Sequence, residues 1–174
     1  MGLTAQQDEY TRVVQALKLG TIDGLERLTR EIGGFPTGID PLVGQPWIMA
    51  AIESGSYEAI DWMLRRPVDL AFRCDDGYTP LHAALERQAS DRHPVLELLL
   101  QHGASVDLKG PNDWTPAHMA AALDDVEALR ILVRYGADLS IRTQIDDYAT
   151  PLEEARNLGK LKAAAYLEGH FARG

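Results

Sequence analysis

Apolar residues, chiefly Leu and Ala, lie in short clusters separated by polar turns. Such clusters predict pairs of small helices packed in layers. Thr-Pro occurs at 79–80, 115–116 and 150–151. Each of these pairs predicts the start of the first helix of a pair, because Thr caps a helix and Pro fits its first position. A second helix ends near Gly103 or Gly136, where glycine permits the left-handed backbone of a C-terminal cap. The predicted helices are 8–19, 22–31, 81–87, 95–101, 117–123, 126–135, 152–158 and 161–168.

The chain contains an internal repeat. Thr-Pro-Leu-His at 79–82 recurs as Thr-Pro-Ala-His at 115–118, and a weaker copy, Thr-Pro-Leu-Glu, stands at 150–153. Self-similarity at a period of 35–36 residues indicates stacked helical units. Because each unit contacts only its neighbours, such a stack offers a long surface for a partner rather than a built-in catalytic cleft.

This pattern resembles the ankyrin repeat, in which Thr-Pro-Leu-His opens an inner helix and Gly-Ala follows an outer one. Residues 113–147 match best; 77–112 match nearly as well, with about three extra residues around 88–92 that should lengthen a turn. The resemblance implies an all-α ankyrin-repeat solenoid with short β-hairpin fingers, in one domain spanning 1–174. Its units would be 4–43, 44–76, 77–112, 113–147 and 148–174, of which the first lacks a finger and the first and last are capping units.

Composition narrows the classes of function. The 174 residues carry a net charge of −9, which disfavours nucleic acid as a partner. A lone cysteine, Cys74, forms no internal disulfide and favours a reducing compartment. Neither a signal peptide nor an apolar run long enough to span a membrane is present, so we expect a cytoplasmic protein, taken to be a monomer.

Two groups of residues could be read as catalytic or metal-binding. His82 and His118 occupy the same repeat position, and in the ankyrin family that imidazole makes hydrogen bonds within and between repeats; no third ligand shares the offset, so we predict no metal. Acidic doublets such as Asp124-Asp125 are better explained as helix caps and turn residues than as general acids and bases. We therefore predict no enzymatic activity and no cofactor.

The fingers carry the pattern that most favours function. Residues 69–79, 103–115 and 136–150 hold eight acidic and three basic side chains, and an aromatic residue lies at or beside the position before each Thr. Aromatic anchors ringed by charge are typical of binding hot spots. The alternative is structural: a large residue covers the finger stem, and Asp is a favoured turn residue. The predicted contacts are Arg73, Asp75, Asp76, Tyr78, Asn112, Asp113, Trp114, Asp146, Asp147 and Tyr148, above a palm formed by Met49, Glu53, Glu86, Arg87, Met119 and Leu123.

These observations favour a non-enzymatic module that binds a protein partner, possibly a basic one, through the concave face of fingers and inner helices. A free-standing acidic binder of this size suits an inhibitor, for instance an immunity protein that blocks a basic toxin. An adaptor or scaffold that links partners without inhibiting them is the second interpretation. An enzyme that uses the acidic doublets is the third and least favoured.

Overall fold

Ten α-helices alternate along the described residues, 2–144 and 148–172, of the computed structural model. They form two layers, and each helix packs against its counterpart in the next pair. The inner layer consists of α1 (Gly2–Leu19), α3 (Trp47–Ser54), α5 (Pro80–Glu86), α7 (Pro116–Ala122) and α9 (Pro151–Asn157). The outer layer consists of α2 (Ile22–Glu31), α4 (Tyr57–Leu64), α6 (Arg92–Gln101), α8 (Val126–Arg134) and α10 (Leu161–Phe171). The predicted all-α solenoid is confirmed.

The core runs unbroken between the two layers. Ala84, Ala120 and Ala155, each five residues after its Thr, are fully buried in the inner helices. Their small side chains let neighbouring inner helices approach closely. Leu99 and Leu132 of the outer helices fill the space between the two layers. The repeat is therefore a packing unit as well as a sequence unit.

Among the described residues, a main-chain hydrogen bond joins the two arms of each finger. The Cys74 amide donates to the Tyr78 carbonyl at 3.0 Å, the Gly110 amide to Trp114 at 2.7 Å, and the Thr143 amide to Ala149 at 3.1 Å. No strand forms in these fingers over the described residues, although β-hairpins were expected. In the first two fingers, whose residues are all described, no ladder of main-chain bonds extends beyond that bond. The second finger instead turns through Asn112 and Asp113, whose φ angles of +54° and +59° are left-handed.

Helices begin at the predicted Thr-Pro positions, but the Thr side chains bind different partners. The Thr150 hydroxyl accepts a bond from the Glu153 amide at 3.3 Å, as an N-cap should. Thr79 caps no helix amide with its side chain; its hydroxyl lies 2.7 Å from Nδ1 of His82. In this repeat the Thr79 hydroxyl bonds the imidazole of His82 instead of a helix amide.

The insertion around 88–92 lengthens both a turn and a helix. Residues 87–91 join α5 to α6, whereas 123–125 suffice between α7 and α8. Helix α6 begins at Arg92, three residues before the predicted start at Val95. The added turn of helix is tied to the next repeat, because Arg92 and His93 both bind the Asp125 carboxylate at 2.9 Å.

Candidate protein-binding site

The first finger, 73–78, presents its charges to solvent. Arg73, Asp75 and Asp76 are exposed, and no hydrogen bond or ion pair joins them to any other residue that the structure describes. No described residue therefore pairs with these three charges, and they remain available to a partner.

Tyr78 in the same finger is held in place. Its hydroxyl donates to Oε1 of Glu86 at 2.9 Å, and its half-buried ring lies edge-on to His82. Burial, followed by the hydrogen bond to the Glu86 carboxylate, raises the pKa of Tyr78 to about 12. The phenol therefore remains a donor at any ordinary pH and fixes one oxygen of Glu86.

The second finger uses its acids internally. Asp113 accepts hydrogen bonds from Nζ of Lys109 and from the Gln144 amide, both at 2.7 Å. Asp107 accepts the Asp138 amide at 3.1 Å. The bonds from the Gln144 and Asp138 amides join one finger to the next, so in this part of the face the structural interpretation of the acids holds.

The protonation of Asp113 reflects those contacts. Burial alone would raise the pKa of this carboxyl, but the hydrogen bonds from Lys109 and from the Gln144 amide outweigh it and lower the pKa. Asn112 beside it is exposed, and Trp114 is half-buried against the core. The indole thus covers the stem of the finger.

Tyr148 differs from the other two aromatic residues. Its φ is +52°, in the left-handed region, and its side chain is 61% exposed. Gly77 and Asp113, also two residues before a Thr, share that conformation with φ of +86° and +59°. The position directly before Thr150, which corresponds to Tyr78 and Trp114, holds the buried Ala149. The bulky side chain of Tyr148 is thus exposed on a strained backbone conformation.

The remaining predicted contacts, Asp146 and Asp147, lie outside the described residues.

A groove of about 560 Å³ opens between α3 and α5 on the concave side, bounded by the first finger and the inserted turn. Three carboxylates border it, those of Glu53, Asp76 and Glu86. The sequence placed Glu53 and Glu86 in the palm and Asp76 in a finger, but it gave no sign that they meet around one opening. The insertion after α5 was the available signal. The other lining residues are Gln45, Met49, Cys74, Tyr78, Ala83, Arg87, Gln88 and Ala89.

Arg87, expected as a contact in the palm, is buried and fully engaged. Its guanidinium donates to the carbonyls of Ile52 and Gly55 at 2.7 and 2.6 Å, and to both carboxylate oxygens of Asp91 at 2.7 and 2.9 Å. The carbonyls belong to the C-terminal end of α3 and the residue that caps it, which favour a cation. Arg87 thus fastens the inserted turn to the preceding repeat. Met49 and Met119 are likewise buried, whereas Leu123 is 45% exposed.

His82 and His118 make equivalent bridges between repeats. Nε2 of His82 lies 3.1 Å from the Trp114 carbonyl, and Nε2 of His118 lies 3.0 Å from that of Ala149. A carbonyl only accepts, so Nε2 carries the proton and Nδ1 receives the bond from the Thr of the same repeat. Burial lowers the pKa of both, that of His82 to about 4, which keeps them neutral. This agrees with the hydrogen-bonding role predicted for them, and the described residues contain no group of three or more potential metal ligands.

Gly110 is required for the first of these bridges. A Cβ at this position would lie 2.5 Å from the His82 ring, closer than any real contact allows. The second finger can therefore rest on the imidazole only because glycine stands there.

Four arginines of the outer helices are already paired. Arg65 binds Asp61 at 2.7 Å, and Arg66 binds Glu26 at 2.7 Å while lying 3.5 Å above the Trp62 ring. Arg130 and Arg134 likewise pair with Glu127 and Glu97. These pairs neutralise part of the outer face, whereas Asp75 and Asp76 of the first finger and Glu53 and Glu86 at the groove form no ion pair with any described residue.

Comparison with known proteins agrees with this architecture. The model of the family described as ankyrin repeats (3 copies) matches residues 7–110, 47–143 and 89–170. Human BCL-6 corepressor-like protein 1 is 32% identical over 101 residues, 58% of this chain. Mouse RelA-associated inhibitor is 28% identical over 116 residues, 67% of this chain, and mouse protein phosphatase 1 regulatory subunit 12A is 30% identical over 105 residues, 60% of this chain.

The chain spans only 6%, 13% and 10% of the lengths of these three relatives, so the likeness concerns their repeats. Among the described helices, none has the length and apolar character needed to cross a membrane. The family match covers most of the sequence, and the Thr-Pro-x-His bridges, glycine caps and paired helix layers are those the resemblance implies. The chain belongs to the ankyrin repeat family.

Proposed function

We propose that this protein is a non-enzymatic inhibitor in the cytoplasm that holds a basic protein against its concave face. Ankyrin repeats are a protein–protein interaction module, and the names of two relatives describe an inhibitor and a regulatory subunit. An immunity protein that blocks a basic toxin is one form such an inhibitor takes.

The observation that carries the proposal is the contrast in pairing. The exposed carboxylates of Asp75 and Asp76 have no basic partner among the described residues, and neither do Glu53 and Glu86 at the groove. Unpaired like charges in one region repel one another, and a cationic partner surface would relieve that repulsion. Charges of this kind chiefly speed association and set orientation.

Affinity capture from the source cells, followed by binding kinetics with the purified partner, tests the proposal. We expect the double change Asp75→Asn with Asp76→Asn to slow association about threefold or more and to flatten its dependence on salt, since exposed charges are screened over about 8 Å at physiological ionic strength. The matched control, Glu58→Gln with Glu127→Gln on outer helices, removes the same charge. If the control abolishes binding and the finger change does not, the concave face is the wrong one.

An adaptor is the second candidate, and an outer-face feature favours it. A largely apolar groove of about 510 Å³ lies beside the turn between α1 and α2, where Ile22 and Tyr57 are 46% and 37% exposed. Two opposite binding surfaces would suit a protein that joins partners. Adding stoichiometric protein to the captured partner distinguishes the two roles: an inhibitor abolishes the partner's activity, and an adaptor leaves it intact.

A further inference from the structure

We propose that the groove between α3 and α5 receives a long basic side chain, arginine or lysine, carried on an extended segment of the partner protein. This inference rests on the proposed function and adds a subsite and its chemistry.

The floor and walls of the groove suit the aliphatic stem of such a side chain. Met49 and Ala83, exposed by only 2% and 7%, form an apolar floor, and the Tyr78 ring and Ala89 line its sides. Arginine and lysine cover apolar surface with their methylene groups while the charged head reaches polar groups. A short polar side chain would leave this floor uncovered.

The rim provides the complementary charge. Glu53, Asp76 and Glu86 border the opening, and within the described part of the chain none of them forms an ion pair. The Tyr78 hydroxyl occupies one oxygen of Glu86 and orients the carboxylate. A guanidinium or ammonium group entering here would therefore meet acceptors without displacing an existing cation.

Arg87 does not neutralise this rim, although it lines the groove. Its donors are committed to Asp91 and to the carbonyls of Ile52 and Gly55, and its side chain is 4% exposed. These bonds of Arg87 instead hold the inserted turn in position, so that Gln88 and Ala89 form one wall of the groove. The insertion after α5 thereby closes one side of the groove.

The raised pKa of Glu53 leads to a second expectation, which concerns how binding depends on pH. Burial raises the pKa of this carboxyl, because partial desolvation disfavours its charged form. A bound cation would favour the ionised form and so release a proton. Binding should therefore strengthen as pH rises through the range in which Glu53 ionises.

A titration with short peptides, followed by amide chemical shifts in the full chain, tests the inference. The probe is a capped Gly-Ala-Arg-Ala-Gly peptide at millimolar concentration, compared with the same peptide carrying citrulline, the uncharged isostere of arginine. We expect the arginine peptide to shift the amides of Met49, Ala83 and Ala89 saturably, and the citrulline peptide to bind about tenfold more weakly.

Two variants make the test specific. Glu53→Gln with Glu86→Gln removes two rim charges, yet Gln at position 86 still accepts the Tyr78 hydroxyl; we expect binding to weaken about tenfold. Glu58→Gln with Glu127→Gln removes equal charge from the outer helices and should leave binding unchanged. Equal binding of citrulline, non-saturable shifts spread over the acidic surface, or the same loss in both variants would overturn the inference.

The outcomes also separate this inference from the proposed function. If a protein partner binds through Asp75 and Asp76 while the arginine peptide leaves the groove amides unshifted, the subsite is wrong and the proposed function stands. If the peptide fills the groove but the concave-face variants leave the captured partner's binding unchanged, the subsite stands and the proposed function fails.

Discussion

The first and second fingers occupy equivalent places in successive repeats and use their acids in opposite ways. Asp75 and Asp76 of the first finger contact no described donor, whereas Asp113 of the second is held by Lys109 and by the Gln144 amide. Both fingers present acidic residues at a turn, so composition does not separate them. What differs is the presence of a donor in the next repeat, and this decides whether a carboxylate stabilises the stack or remains free for a partner.

Arg87 should be the most costly residue to lose on the groove side. Arg87→Ala would leave Asp91 and the carbonyls of Ile52 and Gly55 without their donor, so we expect the free energy of unfolding to fall by about 3–5 kcal/mol, as when a buried pair is broken. Urea denaturation of the full chain measures the loss. Arg65→Ala, which breaks the exposed pair with Asp61, should change it by less than about 1 kcal/mol. Similar losses in the two variants would contradict the anchoring role of Arg87.

The His82 bridge joins α5 to the second finger and should make this contact sensitive to acid. Its pKa falls from an ordinary 6.5 to about 4 on folding, so the unfolded chain binds the proton more readily. The stability it contributes is complete above pH 6.5 and is lost as the pH falls to about 4, by roughly 3 kcal/mol. Comparing unfolding of the wild type and His82→Gln across this range checks the prediction: the wild type should lose more stability. Parallel pH profiles would refute it.

Matched changes in the two fingers test the contrast between them directly. Asp113→Asn keeps a residue that tolerates the left-handed backbone but turns charge-assisted bonds into neutral ones, so it should destabilise the protein by about 1 kcal/mol. Asp76→Asn should change stability by less than about 0.5 kcal/mol. Thermal or urea unfolding gives both values, and equal effects would remove the distinction between the fingers.

The smallest expected effect is a gain in stability. Tyr148→Asn replaces a bulky residue at φ +52° with one that accepts this conformation, so unfolding should become more costly by about 0.5–1 kcal/mol. Tyr78→Asn should do the opposite, because Tyr78 packs on the core and bonds Glu86. Should Tyr148→Asn stabilise the chain yet weaken partner binding, the strained tyrosine belongs to the binding face.

Much of the fold followed from local rules. The Thr-Pro starts are confirmed, and Gly103 and Gly136 have the predicted left-handed backbone, with φ of +90° and +86°. These features depend on one or two residues and their immediate neighbours. The starting point of α6 was wrong by three residues, because its first turn is held by Asp125 of the following repeat.

The candidate site was less accessible to sequence reasoning. Arg87 belonged to the predicted palm but donates to carbonyls at positions 52 and 55, a full repeat earlier. Tyr148 was grouped with Tyr78 and Trp114 as an aromatic residue at or beside the position before Thr, yet the position before Thr150 holds the buried Ala149. One residue of displacement in a finger changes a stem-covering side chain into an exposed one, and periodicity does not resolve that step.

The sequence by itself determined the helix pairs, their caps and the repeat that stacks them, because each depends on contacts within a few residues or on a pattern recurring in every unit. Only the tertiary structure decided which charges are free. Asp113, Arg87 and His82 each have, besides a local partner, one or more partners 31 to 35 residues away, at the distance of one repeat. Stacking brings such residues together, but whether a donor stands opposite a given carboxylate depends on turn length and side-chain direction. That is why two acidic fingers of similar composition differ, one bound into the stack and the other open to a partner.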